Sequence, residues 1–123
     1  MNYRSLGPIK NVSRLALGGG GIGQVWGATD RDEALATVEA AAAAGINFFD
    51  LAPMYGNGEA ERVIGTMYRD GYPDDIKVST KCMLGDAPAE EIDDRLRRSL
   101  DQSCERLNRN CVDLFILHGC VME

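Results

Sequence analysis

The sequence is poor in positive charge. It has 13 Lys and Arg residues against 19 Asp and Glu residues, and its formal net charge at pH 7 is −6 over 123 residues. No run or cluster of basic residues stands out. Nucleic acids and anionic membrane surfaces are recognised through such basic patches. We therefore predict that neither nucleic acid nor a membrane is a partner.

Long hydrophobic runs are also missing. The least polar stretch, residues 40–51, is too short to cross a bilayer and contains Asn47 and Asp50. The first residues, Met1 to Ser5, lack the apolar core of a signal peptide. These absences lead us to expect a cytoplasmic protein.

Cysteine is scarce, and no pair has the C-x-x-C spacing of a redox or zinc motif. The four cysteines are expected to be free thiols that behave as small hydrophobic residues. A metal site built from Cys82, His118 and Cys120 matches no zinc spacing, so we predict no metal.

What the chain does contain is an alternation of short β-rich runs and helical stretches. A hairpin around Gly7-Pro8 is followed by strands expected at residues 15–18, 46–50, 76–80 and 111–117. Helices are expected over residues 31–44, from about 59 to 69, and from about 88 to 107. Asp30 with Glu33 resembles a capping box at the first helix, and Gly45 provides its left-handed stop.

This order predicts an α/β fold with four parallel strands and three helical crossovers. An open doubly wound sheet and part of a (β/α)8 barrel both fit the pattern. A complete (β/α)8 TIM barrel has about 250 residues. We therefore predict the first half of such a barrel, preceded by the hairpin, as one unit over residues 1–123.

Ionisable residues stand at successive strand ends. Asp50 closes the second main strand, Lys81 follows the third, and His118 follows the fourth, while Tyr55 lies just beyond Asp50. The carboxyl ends of parallel strands share one face, where the active sites of such barrels lie. We expect these four side chains to converge, although each one taken singly is more often a salt-bridge, turn or packing residue.

A chemical logic connects the four residues. A carbonyl group that accepts hydride becomes an alkoxide and needs a proton, which the phenol of Tyr55 can supply. A phenol is a weak acid near neutral pH, and a neighbouring ammonium such as that of Lys81 makes it a stronger one. Asp50 would anchor Lys81, and His118 would orient the carbonyl oxygen or share the proton.

A glycine-rich segment, Gly18 to Gly23, matches the G-x-G-x-x-G dinucleotide fingerprint. That fingerprint requires a helix that begins within it, so that the pyrophosphate meets the helix N-terminus. The expected cap is not reached until Thr29, so we interpret the segment as a flexible loop at the barrel rim.

An ordered series of motifs resembles the N-terminal half of the aldo-keto reductases. The motifs run along nearly the whole chain and comprise Tyr3-Arg4-x-Leu6-Gly7, Leu15-x-Leu17-Gly18, Gly45-Ile46-Asn47-Phe48-Phe49-Asp50, Tyr55-Gly56, Gly58-x-x-Glu61-Arg62-x-Ile64-Gly65, Ser79-Thr80-Lys81, Val112-Asp113-Leu114 and Leu117-His118.

The resemblance implies a catalytic tetrad of Asp50, Tyr55, Lys81 and His118, with NADP(H) as the hydride source and an aldehyde or ketone as the substrate. It places Gly18, Gly19, Gly20 and Asp50 near the nicotinamide. Leu51 departs from the family pattern, which commonly has Thr there.

The family's strands five to eight, which supply the rest of the cofactor site, have no counterpart among these 123 residues. We therefore expect this chain to be inactive alone. The alternative is a non-catalytic half-barrel that self-associates through its exposed sheet edges or binds a partner.

Overall fold

A computed structural model describes residues 1–119. In that part of the chain a two-stranded hairpin precedes a four-stranded sheet with helical connections. A single 3-10 turn, Ala89–Glu91, leads into the last helix. The elements in chain order are β1 (Tyr3–Leu6), β2 (Ile9–Ser13), β3 (Leu17–Gly18), α1 (Gly19–Ile22), α2 (Arg31–Ala43), β4 (Phe48–Asp50), α3 (Glu59–Met67), β5 (Lys77–Cys82), α4 (Ile92–Leu107) and β6 (Leu114–Leu117).

The main sheet has the strand order β3-β4-β5-β6, and every neighbouring pair is parallel. Gly18 pairs with Asp50, so the ends of β3 and β4 lie side by side, and Cys82 pairs with Leu117, which aligns the ends of β5 and β6. Asp50 pairs with Ser79, three residues before the end of β5. The predicted parallel order and the predicted convergence of the strand ends are thus both observed. Consecutive strands are adjacent, as in one half of a (β/α)8 barrel.

The hydrophobic core lies between the sheet and helices α2 and α3. Phe49 and Val78 of the central strands are fully buried, and so are Val38 of α2 and Ile64 of α3. Leu51, the residue that departs from the family pattern, is also fully buried in this core. Its side chain lies against Gly19, the residue that follows β3.

Both predicted ends of the first long helix are observed. Asp30 is the N-cap of α2, and its carboxylate accepts a hydrogen bond from the Glu33 backbone N–H at 2.8 Å. This satisfies one of the free amides of the first turn. Gly45 follows the C-terminus with a φ of +85°, a conformation that favours glycine.

The hairpin is fastened to the start of β4 by Asn47, which is 2% exposed. Its Oδ1 accepts from the Ser13 N–H at 2.8 Å, and its Nδ2 donates to the Asn11 carbonyl at 2.8 Å. The Asn47 N–H donates to Ser13 Oγ at 3.1 Å. The hairpin therefore sits at the end of the sheet opposite the carboxyl ends of its strands.

A buried charge joins two helices to the sheet. The Glu61 side chain of α3 is 0% exposed and accepts from Thr80 Oγ1 of β5 at one oxygen and from Arg106 Nε of α4 at the other. Because Thr80 precedes Lys81, this network braces the strand that carries the lysine.

The expectation of a flexible loop at Gly18 to Gly23 was wrong for part of its length. Residues Gly19–Ile22 form one helical turn, α1, and Gly19 and Gly20 are buried. Close packing against neighbouring side chains orders this turn. Turn and irregular residues still separate it from α2, so it is not the crossover helix of a dinucleotide-binding unit.

The last strand is shorter than predicted and begins at Leu114 instead of Cys111. The carboxylate of Asp113 accepts the Val78 N–H at 2.8 Å, taking a donor that would otherwise serve a strand ladder. Arg109 Nη1 also donates to this carboxylate, at 3.2 Å.

Two further expectations from the sequence concern membrane-spanning helices and disulfides. Among residues 1–119, no helix combines the length and the apolar character needed to cross a bilayer. No disulfide joins Cys82, Cys104 and Cys111. Cys120, part of the weighed metal site, lies outside the described residues.

Candidate active site

Four ionisable side chains gather at the carboxyl ends of β4, β5 and β6. Asp50 is the last residue of β4, Lys81 is the fifth residue of β5, and His118 directly follows β6. Tyr55 belongs to the connection between β4 and α3. The structure thus brings all four predicted side chains together at the carboxyl end of the sheet. These four residues define the mouth of the candidate site.

Lys81 is at the centre of this group. Its Nζ donates to Asp50 Oδ1 at 2.8 Å and to the Leu51 carbonyl at 2.7 Å, and it lies 3.5 Å from Tyr55 Oη. The lysine side chain is only 12% exposed, whereas that of Asp50 is 39% exposed. The Asp50 carboxylate and the Leu51 carbonyl therefore hold the Lys81 ammonium close to the Tyr55 phenol.

Sequence reasoning missed Ser79, which belongs to the same group. Its hydroxyl donates to Asp50 Oδ1 at 2.7 Å, the oxygen that also accepts from Lys81. Ser79 and Lys81 are two residues apart in β5, so both side chains lie on one face of the sheet. That spacing, together with Asp50 on the neighbouring strand, is the signal that would have identified it.

The segment that carries Tyr55 is held by its own backbone. The Tyr55 N–H donates to the Ala52 carbonyl at 3.0 Å, and the Tyr55 carbonyl accepts from the Ala60 N–H at 3.2 Å. Three consecutive residues, Gly56, Asn57 and Gly58, then have φ values of +65°, +53° and +83°. A non-glycine residue at positive φ is uncommon and persists where surrounding structure holds it.

His118 completes the mouth on the side of β6. Its ring lies 5.9 Å from the Tyr55 ring between centroids, at an interplanar angle of 83°. Its backbone N–H donates to the Cys82 carbonyl at 2.7 Å, which continues the β5–β6 ladder. Within the described residues, the buried Nδ1 atom has no hydrogen-bond partner.

A cavity of about 590 Å³ lies beside His118, between the ends of β5 and β6 and the start of α4. Apolar side chains make up much of its wall, which also contains Asp86 and His118. The apolar residues are Met83, Leu84, Ala87, Ile92 and Leu117.

The predicted cofactor residues differ in their accessibility. Gly18 is exposed, with no atom near the position that a Cβ would take. Gly19 is buried against Leu51 and Tyr55, and Gly20 is buried under the ring of Trp26. Asp50, the fourth of these residues, is partly exposed.

Comparison with known proteins identifies the family of this chain. Residues 14–122 match the Aldo/keto reductase family. The chain belongs to the aldo-keto reductase family. L-galactose dehydrogenase of Arabidopsis thaliana is 36% identical over 109 residues, which cover 87% of this chain and 34% of that enzyme.

Solved aldo-keto reductases have the same architecture. The thermostable aldo-keto reductase Tm1743 superposes with a TM-score of 0.80 at 30% identity, over 98% of this chain and 44% of that one. An aldo-keto reductase of Klebsiella pneumoniae in complex with NADPH has a TM-score of 0.77 at 26% identity, over 98% and 42% of the two chains.

These neighbours are (β/α)8 barrels, and the predicted fold, part of such a barrel, is confirmed. The chain spans less than half the length of each of these three aldo-keto reductases.

Proposed function

We propose that this chain supplies the proton-donating half of an aldo-keto reductase active site. In the complete barrel this site reduces an aldehyde or ketone to an alcohol with NADP(H). The observation that carries the proposal is the position of Lys81 Nζ, 2.8 Å from Asp50 Oδ1 and 3.5 Å from Tyr55 Oη. An ammonium that is anchored on one side and faces the phenol oxygen on the other is placed to stabilise negative charge developing on that oxygen during proton transfer.

Each side chain then has a stated task. NADPH, when bound at this mouth, would supply the hydride that the carbonyl carbon of the substrate accepts. Tyr55 Oη gives its proton to the carbonyl oxygen as negative charge develops there, and the phenolate later regains a proton from solvent.

The remaining residues position that transfer. Lys81 stabilises the phenolate, and Asp50 together with the Leu51 carbonyl holds Lys81 in place. His118, beside Tyr55 and on the wall of the 590 Å³ cavity, orients the carbonyl oxygen.

The accessible residues at the mouth are suited to hold part of NADP(H). Gly18 offers exposed backbone with no side chain in the way, and Asp50 presents a partly exposed carboxylate. Gly19 and Gly20 are covered by Leu51, Tyr55 and Trp26, so their contribution is to the shape of the wall. The Klebsiella pneumoniae neighbour, whose structure contains NADPH, supports this choice of cofactor.

We further propose that residues 1–123 form the N-terminal half of the barrel domain and do not turn over substrate alone. Four parallel strands are half of an eight-stranded barrel, and one half offers only part of a cofactor site. Purified chain mixed with NADPH and a reactive aldehyde is expected to leave the nicotinamide absorbance unchanged. Steady turnover by the chain would contradict this proposal.

A graft tests the catalytic assignment. Residues 1–119 replace the matching part of Tm1743, the thermostable neighbour, and aldehyde-dependent NADPH oxidation is measured. In the graft, Tyr55→Phe removes only the hydroxyl and is expected to lower kcat by about 10²- to 10⁴-fold, as loss of a general acid does. Tyr72→Phe is the matched control, because its hydroxyl bonds the distant Leu107 carbonyl. Equal activity of the two variants would refute the role of Tyr55.

A second candidate function is self-association, favoured by the outer strand β6. Within residues 1–119 this strand pairs only with β5, and its side chains Ile116 and Leu117 are 37% and 40% exposed. Two copies that join through such edges would continue the sheet. Size-exclusion chromatography is expected to show a dimer that Ile116→Lys dissociates, and a clean monomer at all concentrations would refute this candidate.

A further inference from the structure

The one-turn helix α1 packs directly on the segment that carries Tyr55. A Cβ placed on Gly23, the C-cap of α1, would lie 2.7 Å from both the Cβ and the carbonyl oxygen of Tyr55. On the other side, a Cβ on Gly56 would overlap the Gly23 carbonyl. Backbone therefore meets backbone here, with no room for a side chain at either position.

The turn that makes this contact is held by its own hydrogen bonds. The Gly23 N–H donates to the Gly19 carbonyl at 2.9 Å, and the Val25 N–H donates to the Gly20 carbonyl at 2.9 Å. The Trp26 ring also covers Gly20. The α1 turn is thus held in place by hydrogen bonds and packing, and the Tyr55 segment packs against it.

We propose that Gly23 and Gly56 are positioning residues that set the distance of Tyr55 from Lys81 and His118. Their small size lets the α1 turn approach until it fixes the Cβ of Tyr55, and the phenol then points at the ammonium. The geometric part of this proposal stands on the contacts alone, and only its catalytic consequence rests on the proposed function.

Gly23→Ala is the sharpest variant. Its φ of −95° is open to any residue, so the substitution introduces a clash with Tyr55 and no backbone strain. Gly21→Ala is the matched control in the same turn, because a Cβ there meets only the Trp26 ring at 3.9 Å, an ordinary contact.

The readout is the imidazole proton resonance of His118, the single histidine of the sequence. The Tyr55 ring stands 5.9 Å away and nearly perpendicular, so its ring current contributes to that resonance. Tyr55→Leu gives the reference without a ring. In the full chain, Gly23→Ala is expected to move the resonance at least halfway to this reference, whereas Gly21→Ala leaves it in place.

Further outcomes separate geometry from catalysis. If Gly23→Ala unfolds the chain by circular dichroism, Gly19→Ala tests the same contact, since its Cβ would lie 2.8 Å from the Leu51 side chain, 3.1 Å from the Tyr55 ring and 3.2 Å from the Asp50 carbonyl. A folded Gly23→Ala chain with an unmoved His118 resonance overturns the positioning role. In the graft, Gly23→Ala should lower kcat while KM for NADPH is retained. A shifted resonance with unchanged kcat would refute the catalytic consequence and leave the geometry standing.

Discussion

Asp50 and Lys81 form an ion pair across neighbouring strands, with 2.8 Å between Oδ1 and Nζ, and they differ in their access to water. The Lys81 side chain is 12% exposed and the Asp50 side chain is 39% exposed. Asp50 pairs in register with Ser79, so the lysine two residues further along β5 reaches back to the carboxylate. The ammonium of Lys81, which has less access to water, therefore depends on the Asp50 carboxylate more than the carboxylate depends on the ammonium.

Because of this difference in burial, removing one charge is expected to lower the free energy of unfolding more than removing the other. Asp50→Asn leaves a nearly buried ammonium without its counter-charge and is expected to lower the free energy of unfolding by about 2 kcal/mol. Lys81→Met leaves a carboxylate that water and Ser79 can still reach, and is expected to cost less than half as much. Urea unfolding measures both, and the double variant should be more stable than Asp50→Asn alone. A larger loss for Lys81→Met would contradict the burial argument.

The buried Glu61 is expected to matter far more for stability than Glu59, a partly exposed glutamate of the same helix. Glu61→Gln leaves the guanidinium of Arg106 without its charged partner inside the α3–α4 contact, at a cost on the order of 3 kcal/mol. Glu59→Gln is the matched control, because the partner of Glu59 is Arg31, which is 48% exposed, and an ion pair open to solvent contributes about 0–1 kcal/mol. Urea midpoints compare the two variants, and similar losses would contradict the proposed role of the buried network.

The stability of the chain is expected to fall above about pH 10, the ordinary pKa of tyrosine. Burial raises the pKa of Tyr72 well above this value, although the Arg109 cation opposes the shift. Burial also raises the pKa of Tyr68, with the nearby Asp75 adding to the effect. Above pH 10 the unfolded chain therefore releases protons that the native state keeps, and the free energy of unfolding decreases as pH rises.

Tyr72→Phe tests this pH dependence. At neutral pH the variant should be less stable than the native sequence, because it loses the 2.8 Å hydrogen bond from Tyr72 Oη to the Leu107 carbonyl. The difference should narrow above pH 10, because Tyr68 is penalised in both proteins but only the native sequence is also penalised for keeping Tyr72 neutral. A difference that stays constant in urea unfolding from neutral to alkaline pH would show that Tyr72 does not titrate as described.

Strand positions and their polar ends were predictable because they depend on local pattern. Apolar runs that end at Asp50, Lys81 and His118 indicate buried parallel strands, and parallel strands place their ends together. The same reasoning missed the helical turn at Gly19–Ile22, since a run of glycines has low helix propensity and is ordered here by packing.

Ser79 and Glu61 were missed as partners for a related reason. Each has a meaning only through a residue distant in sequence: Ser79 bonds Asp50 from the adjacent strand, and Glu61 bonds Thr80 and Arg106 from two other elements. A single sequence does not display such pairs until the register between strands is known.

By itself, the sequence determined the order of strands and helices, their parallel arrangement and the set of ionisable side chains at the strand ends, because hydrophobic periodicity and capping are local properties. Only the tertiary structure decided which oxygen of Asp50 meets Lys81, how closely Gly23 and Gly56 pack around Tyr55, and how His118 stands against the phenol. Those relationships are distances between segments remote in sequence, and they arise from close packing of the whole sheet and its helices.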